Sequence, residues 1–159
     1  MKAIFAGTFD PFTIGHRDIV ERAAKLFDCV IVAVAEDTGK VTAPLDERTE
    51  IAKVATKDIA NVKVESFCGL LTDYAKRQGD CVLIRGVRGS ADLDYERDLT
   101  RVYKSLGDIE SLIIISSAEH SHVSSTVVRT IAALGGDISE FVVNCSVQKI
   151  AKIYGPRDR

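Results

Sequence analysis

Nowhere does the sequence hold an apolar run long enough to cross a membrane. Stretches such as CVIVAVA and SLIIIS stop at seven and six residues, where a spanning helix needs roughly 20. The N-terminus, MKAIFAGTFD, turns polar before the apolar segment of a secretory leader could form, so a cytoplasmic location is expected. Cysteine is sparse and scattered: Cys29, Cys68, Cys81 and Cys145 form no CxxC pair, which speaks against a disulfide framework or a zinc site. Cys29, Cys68 and Cys81 lie in or beside apolar runs, where a reduced thiol serves as a small hydrophobe. Proline is rare, with three residues, and glycine numbers 11, so the chain is neither fibrous nor disordered by composition. Excess charge is missing too. A net charge of -2 excludes the broad basic face that a general nucleic-acid or anionic-membrane binder needs, yet leaves room for a local pocket for a small phosphorylated ligand.

What is present is an alternation of short β-branched runs with longer segments of helical period. Strands are expected at Lys2–Ala6, Cys29–Ala35, Val62–Ser66, Cys81–Gly86 and Ser111–Ser116. Helices are expected over His16–Phe27, Asp46–Thr56, Leu70–Gln78, Asp92–Leu106, about Ser125–Leu134 and Ser146–Tyr154. The run CVIVAVA is apolar without alternation, as in a strand covered on both faces. On the fourth helix Leu93, Leu99, Val102, Tyr103 and Leu106 form a stripe expected to face the core. With no repeat, low-complexity tract or linker, residues 1–159 read as one α/β domain: a Rossmann-like, doubly wound, five-stranded parallel sheet with helices on both faces.

In such sheets ligands sit beyond the C-terminal ends of the strands. Three segments fall there: GTFDPFTIGH after the first strand, RGVRGS after the fourth and SSAEHSHVSST after the fifth. All are dense in Gly, Ser, Thr, His and Arg, a composition suited to phosphate. Gly7 and Gly15 are expected to supply unusual backbone dihedrals, and Asp10 reads as a turn residue, with a supporting partner behind the site as the alternative. His16 falls in the first turn of a helix, whose dipole should depress its pKa and keep the imidazole neutral. In the last segment a hydroxyl residue can cap a new helix while free amides cradle phosphate, and Arg129 shares the face of Thr126. Taken alone, each segment also reads as an ordinary capped turn with solvated or paired charges. His120 and His122 have the spacing of zinc ligands, but no Cys or third His accompanies them.

GTFDPFTIGH resembles the signature of the nucleotidylyltransferase superfamily, whose general form ends in HxGH, with Thr13 here in place of the first histidine. That variant is similar to the phosphopantetheine adenylyltransferase family. LIRGVRG resembles the family's xRGxR, and HSHVSSTVVR its ISSTxxR, with Val123 for isoleucine; the likeness runs from residue 2 to the final helix. It implies transfer of the adenylyl group of ATP to 4′-phosphopantetheine, with His16 catalytic. It implies ATP contacts at Thr8, Phe9, His16, Gly86, Val87, Arg88, Glu96, His120, Ser121, His122, Val123, Ser124, Ser125 and Thr126. It implies acceptor contacts at Thr8, Lys40, Leu71 and Arg85, and Mg²⁺ arriving with ATP rather than on a metal site of the protein. A homohexamer and feedback inhibition by coenzyme A belong to the same expectation. The alternatives are another adenylyl- or cytidylyltransferase, such as a nicotinamide mononucleotide adenylyltransferase, and a non-catalytic nucleotide sensor.

Overall fold

Five strands assemble in the order β3-β2-β1-β4-β5, every neighbouring pair parallel. They are β1 (Lys2–Gly7), β2 (Cys29–Ala35), β3 (Val62–Phe67), β4 (Cys81–Val87) and β5 (Ser111–Ile115). Six helices fill the connections: α1 (Ile14–Ala24), α2 (Leu45–Thr56), α3 (Leu71–Gln78), α4 (Ser90–Gly107), α5 (Ser125–Ala133) and α6 (Val147–Tyr154). A computed structural model describes residues 1–36, 39 and 43–156.

Period-two alternation along the central strands sorts their side chains between two cores. Ala3 and Phe5 of β1, Val30, Val32 and Val34 of β2, and Ile84 of β4 face α1, α2, α5 and α6. Ile4, Ala6, Ile31, Ala33 and Leu83 face the opposite way, against Tyr74 and Ala75 of α3. Both faces of β1 and β2 are therefore covered, and their uninterrupted apolar runs follow from that. The sheet and its order match the Rossmann-like expectation.

Two sequence expectations shift. The first helix begins at Ile14, two residues early, because Thr13 caps it: the Thr13 hydroxyl accepts from the His16 N–H. The α4 stripe does not enter the core. No α4 residue is buried, Leu93, Val102 and Leu106 are 42 to 54% exposed, and Tyr103 alone of the stripe packs against a core cluster. The helix packs on β4, β5 and α3, and among the described residues no further element covers its outer face. The cysteines are unpaired; Cys29 and Cys81 pack at the second core, whereas Cys68 is exposed, contrary to the hydrophobe reading. Among the described residues no helix is long and apolar enough to cross a membrane.

Candidate active site

The strand order reverses between β1 and β4: from β1 the chain winds outward to β2 and β3, then returns to β4 and β5. β1 pairs with β2 as far as Gly7, and β4 with β5 as far as Val87, but β1 and β4 pair only up to Phe5 and Ile84. The two central strands thus part at their C-terminal ends, where an open α/β sheet binds its ligand. A cleft of about 430 Å³ opens there. Its floor is Phe5, Ala6 and Gly7; its walls come from α1, the β4–α4 junction and the N-terminus of α5.

His16 is fixed by the cap of α1. The Thr13 backbone N–H donates to His16 Nδ1 at 3.0 Å, and the Thr13 hydroxyl lies 3.1 Å from the same nitrogen. An amide can only donate, so Nδ1 is the acceptor and the neutral ring carries its proton on Nε2. The imidazole is packed among Phe5, Phe9 and Phe12, with centroids at 6.2, 5.1 and 5.4 Å. Burial, reinforced by the Arg88 charge, lowers its pKa to about 4. The depression expected from sequence is present, but desolvation leads it rather than the helix end. His16 therefore presents a fixed N–H donor over the physiological range.

Across the cleft, Arg85 on β4 donates to Glu96 of α4 through Nε at 2.5 Å and Nη2 at 2.9 Å, and to the Ala6 carbonyl at 3.3 Å. Arg88, at the end of β4, pairs with Asp92 at 3.0 Å and reaches the Val123 carbonyl at 3.5 Å. At the third wall Ser124 caps α5 by accepting from the Val127 N–H at 3.2 Å. The amides of Ser125 and Thr126 occupy the first turn, whose N–H groups have no intrahelical partner. The arrangement gathers an imidazole N–H, two guanidinium groups and a helix N-terminus around one cleft, a donor set suited to phosphate oxygens. Both carboxylates of the cleft, Asp92 and Glu96, are engaged by arginines, so the donors present suit a cation carried in on phosphate oxygens rather than one caged by protein.

Of the residues singled out from sequence, Thr8, Phe9, His16, Arg85, Gly86, Arg88, Glu96, Val123, Ser124, Ser125 and Thr126 line this cleft. Val87 is buried beside it. His120 lies behind Gly15 in a 3-10 turn (Ala118–His120) with its Nδ1 buried and unpartnered. Ser121 donates to the Ala118 carbonyl, and His122 packs edge-on to Phe141. Leu71 is partly buried against the second core, away from the cleft lining. Lys40 lies outside the described residues.

Arg48 and Asp18 carried no signal in the sequence, and Asp10 takes the supporting role rather than the turn role favoured there. Asp10 is 3% exposed, not a simple turn residue: its Oδ1 accepts from the Tyr154 hydroxyl at 2.5 Å and the Ala43 N–H at 3.3 Å. Arg48, 1% exposed, serves three backbone carbonyls. Asp18 accepts from the Ser117 N–H at 3.2 Å, tying α1 to the chain beyond β5. The left-handed backbone expected at Gly7 or Gly15 occurs instead at Phe9, φ 46°. Gly7 leaves room for the Phe9 ring: a Cβ there would lie 3.2 Å from it, close enough that the ring would have to shift.

Comparison with known proteins agrees with this geometry. The cytidylyltransferase-like family model matches residues 4–131. A curated phosphopantetheine adenylyltransferase from Deinococcus radiodurans is 41% identical over 165 residues, covering 99% of each chain. In fold the chain resembles a Vibrio parahaemolyticus crystal structure provisionally named nicotinate-nucleotide adenylyltransferase, with a TM-score of 0.71 over 94% of this chain and 97% of that one, at 16% identity. On its motifs, its switch-point cleft and this full-length likeness, the chain belongs to the cytidylyltransferase-like nucleotidyltransferases, within the phosphopantetheine adenylyltransferase family.

Proposed function

We propose that this protein transfers the adenylyl group of ATP to 4′-phosphopantetheine, giving dephospho-CoA and pyrophosphate. The acceptor phosphate attacks the α-phosphorus and the bond to the β-phosphate oxygen breaks. A phosphate monoester has a second pKa of about 6, so it arrives ionised and needs no general base. Catalysis then rests on alignment and on donors aimed at the charge developing on the nonbridging oxygens. The observation that carries this reading is the Thr13–His16 capping box at the switch point. It locks the imidazole neutral with Nε2–H as its donor, in a cleft shared with Arg88 and the α5 N-terminus.

In this assignment His16 and Thr8 serve the α-phosphoryl oxygens. Arg88, Lys40 and the amides of Ser124, Ser125 and Thr126 serve the β- and γ-phosphates. Phe9, Gly86, Val87, Glu96, His120, Ser121, His122 and Val123 complete the ATP site. Arg85 orients the acceptor phosphate and Leu71 meets the pantetheine arm. Mg²⁺ would arrive with ATP and would supply further charge neutralisation, needing few ligands from the protein. Coenzyme A carries the same phosphopantetheine arm and is expected to compete as a feedback inhibitor.

The protein is proposed to act in the cytoplasm as a homohexamer built from this single domain. Support for assembly comes from the α4–β5 side, where Val102, Leu106, Leu112 and Ile115 are 47 to 64% exposed on neighbouring elements. Pyrophosphate release with ATP and 4′-phosphopantetheine, set against nicotinate or nicotinamide mononucleotide as acceptor, tests the reaction. Turnover confined to the first acceptor is expected; turnover with a mononucleotide alone, or ATP binding without turnover, overturns it.

A further inference from the structure

Behind the cleft, the carbonyls of the signature turn are held from the rear by side chains of other elements. Arg48, in the first turn of α2, donates through Nη1 to the Thr8 carbonyl at 2.5 Å and the Ala35 carbonyl at 2.8 Å, and through Nε to the Ala43 carbonyl at 3.0 Å. From α5, Arg129 donates to the Asp10 carbonyl at 2.5 Å and Ser125 to the Pro11 carbonyl at 2.8 Å. A planar trans peptide points its C=O and N–H in opposite directions. With the Thr8 carbonyl turned back onto Arg48, the Phe9 N–H faces the other way, toward the side on which Thr8 and Phe9 line the cleft.

Two observations mark this peptide as built for a ligand. Phe9 holds φ 46°, a left-handed conformation that is unfavourable for a non-glycine residue and persists only where the surroundings impose it. Its N–H has no hydrogen-bond partner within the chain among the described residues, although Phe9 is only 3% exposed. A buried amide left unpaired is rare and calls for an acceptor.

We propose that Arg48 is a positioning residue: by gripping the Thr8 carbonyl it turns the Phe9 N–H into the cleft as a donor to the charge that develops on the departing pyrophosphate. The inference deepens the transfer reading and rests on it for the identity of the anion. Arg48→Lys keeps the charge but loses the fork that reaches three carbonyls at once. In the folded variant kcat is expected to fall about 10-fold, part of the loss typical of one such donor, with KM for ATP within about twofold. Titration then separates positioning from packing. Affinity for inorganic pyrophosphate should fall with kcat, while affinity for adenosine, which has no phosphate, should hold.

Equal losses for pyrophosphate and adenosine would reduce Arg48 to a packing role, and wild-type values for both would remove it altogether; either overturns the proposal. Should Arg48 variants not fold, replacing Phe9 by phenyllactic acid exchanges its amide for an ester and deletes the N–H with the side chain kept. Unchanged pyrophosphate affinity there overturns the proposal, and a fall of about 10-fold supports it. Failure of wild-type protein to make dephospho-CoA would defeat the transfer reading instead, and leaves the pyrophosphate and adenosine titrations standing as the test of Arg48.

Discussion

The signature turn and the α4–β5 side of the sheet are built on opposite plans. Around the turn, groups from α2, α5 and α6 converge on residues 8 to 11, and Asp10, Thr13 and Arg48 are all at most 3% exposed. Along α4 nothing is buried, and β5 turns Leu112 and Ile115 outward at the sheet edge. The first region is finished by the chain's own residues and can hold reacting groups to the tolerance that phosphoryl chemistry demands. The second carries apolar surface that folding of one chain leaves uncovered. The cleft and this uncovered apolar surface thereby lie on different sides of β4, with Arg85 between them: it lines the cleft while its guanidinium lies 5.9 Å from the Tyr103 ring of α4.

The sharpest way to break this contrast is His16→Ala. The substitution deletes a preorganised donor and should lower the single-turnover rate by about 10²–10³, the loss of one oxyanion-type contact. The capping box is half lost as well, for which a stability loss of about 1 kcal/mol is expected. An unimpaired rate would take His16 out of the chemistry. The acid stability of wild type should respond nearly as strongly. The folded-state pKa of about 4 lies below the unfolded value of 6.5, so the unfolded chain binds more protons between those values. The stabilisation is complete above pH 6.5 and disappears as pH falls toward 4, a loss of roughly 2–3 kcal/mol. In urea titrations the stability of wild type relative to His16→Gln should accordingly fall by roughly 2–3 kcal/mol as pH drops from 7.5 to 4.5; a constant difference would show that the ring is not held neutral.

Arg85→Ala comes next. Losing a charge-assisted contact to the acceptor phosphate, about 1.5–3 kcal/mol, should weaken 4′-phosphopantetheine about 10- to 100-fold. ATP affinity should change far less. Calorimetric titration of each substrate decides, and loss confined to ATP would exchange the roles of Arg85 and Arg88.

The same contrast explains what could be read in advance. The five strands and six helices announced themselves through periodicity, because β1 and β2 are covered on both faces and α1 on one. The three loops followed from the sheet rule and the density of Gly, Ser, His and Arg. The α4 stripe was legible as a stripe but not as a destination: Leu93 and Leu106 repeat like core residues, and sequence does not say whose core. The supports of the turn were hidden for a different reason. Arg48 sits among charged residues in DERTEIAKV, and only the fold brings it under the Thr8, Ala35 and Ala43 carbonyls. Asp10 finds Tyr154 from 144 residues away, a pairing no local pattern carries. Phe9, not a glycine, takes the left-handed turn because those distant groups fix the backbone on both sides of it.

The smallest effect falls on the other side of the sheet. Ile115, 64% exposed on β5, contributes little to the folding of its own chain, so Ile115→Ser should move the unfolding free energy of dilute protein by less than about 0.5 kcal/mol. The consequence belongs to concentration. If β5 and α4 are covered by a second copy, folding and association are linked, and the wild type gains stability as protein concentration rises. The variant should lose that dependence and shift toward the 17.3 kDa chain in light scattering, while turnover per folded chain in the cleft is retained. A large loss at every concentration would instead place Ile115 in the chain's own core, and the division between a self-sufficient site and a side awaiting its neighbour would have to be redrawn.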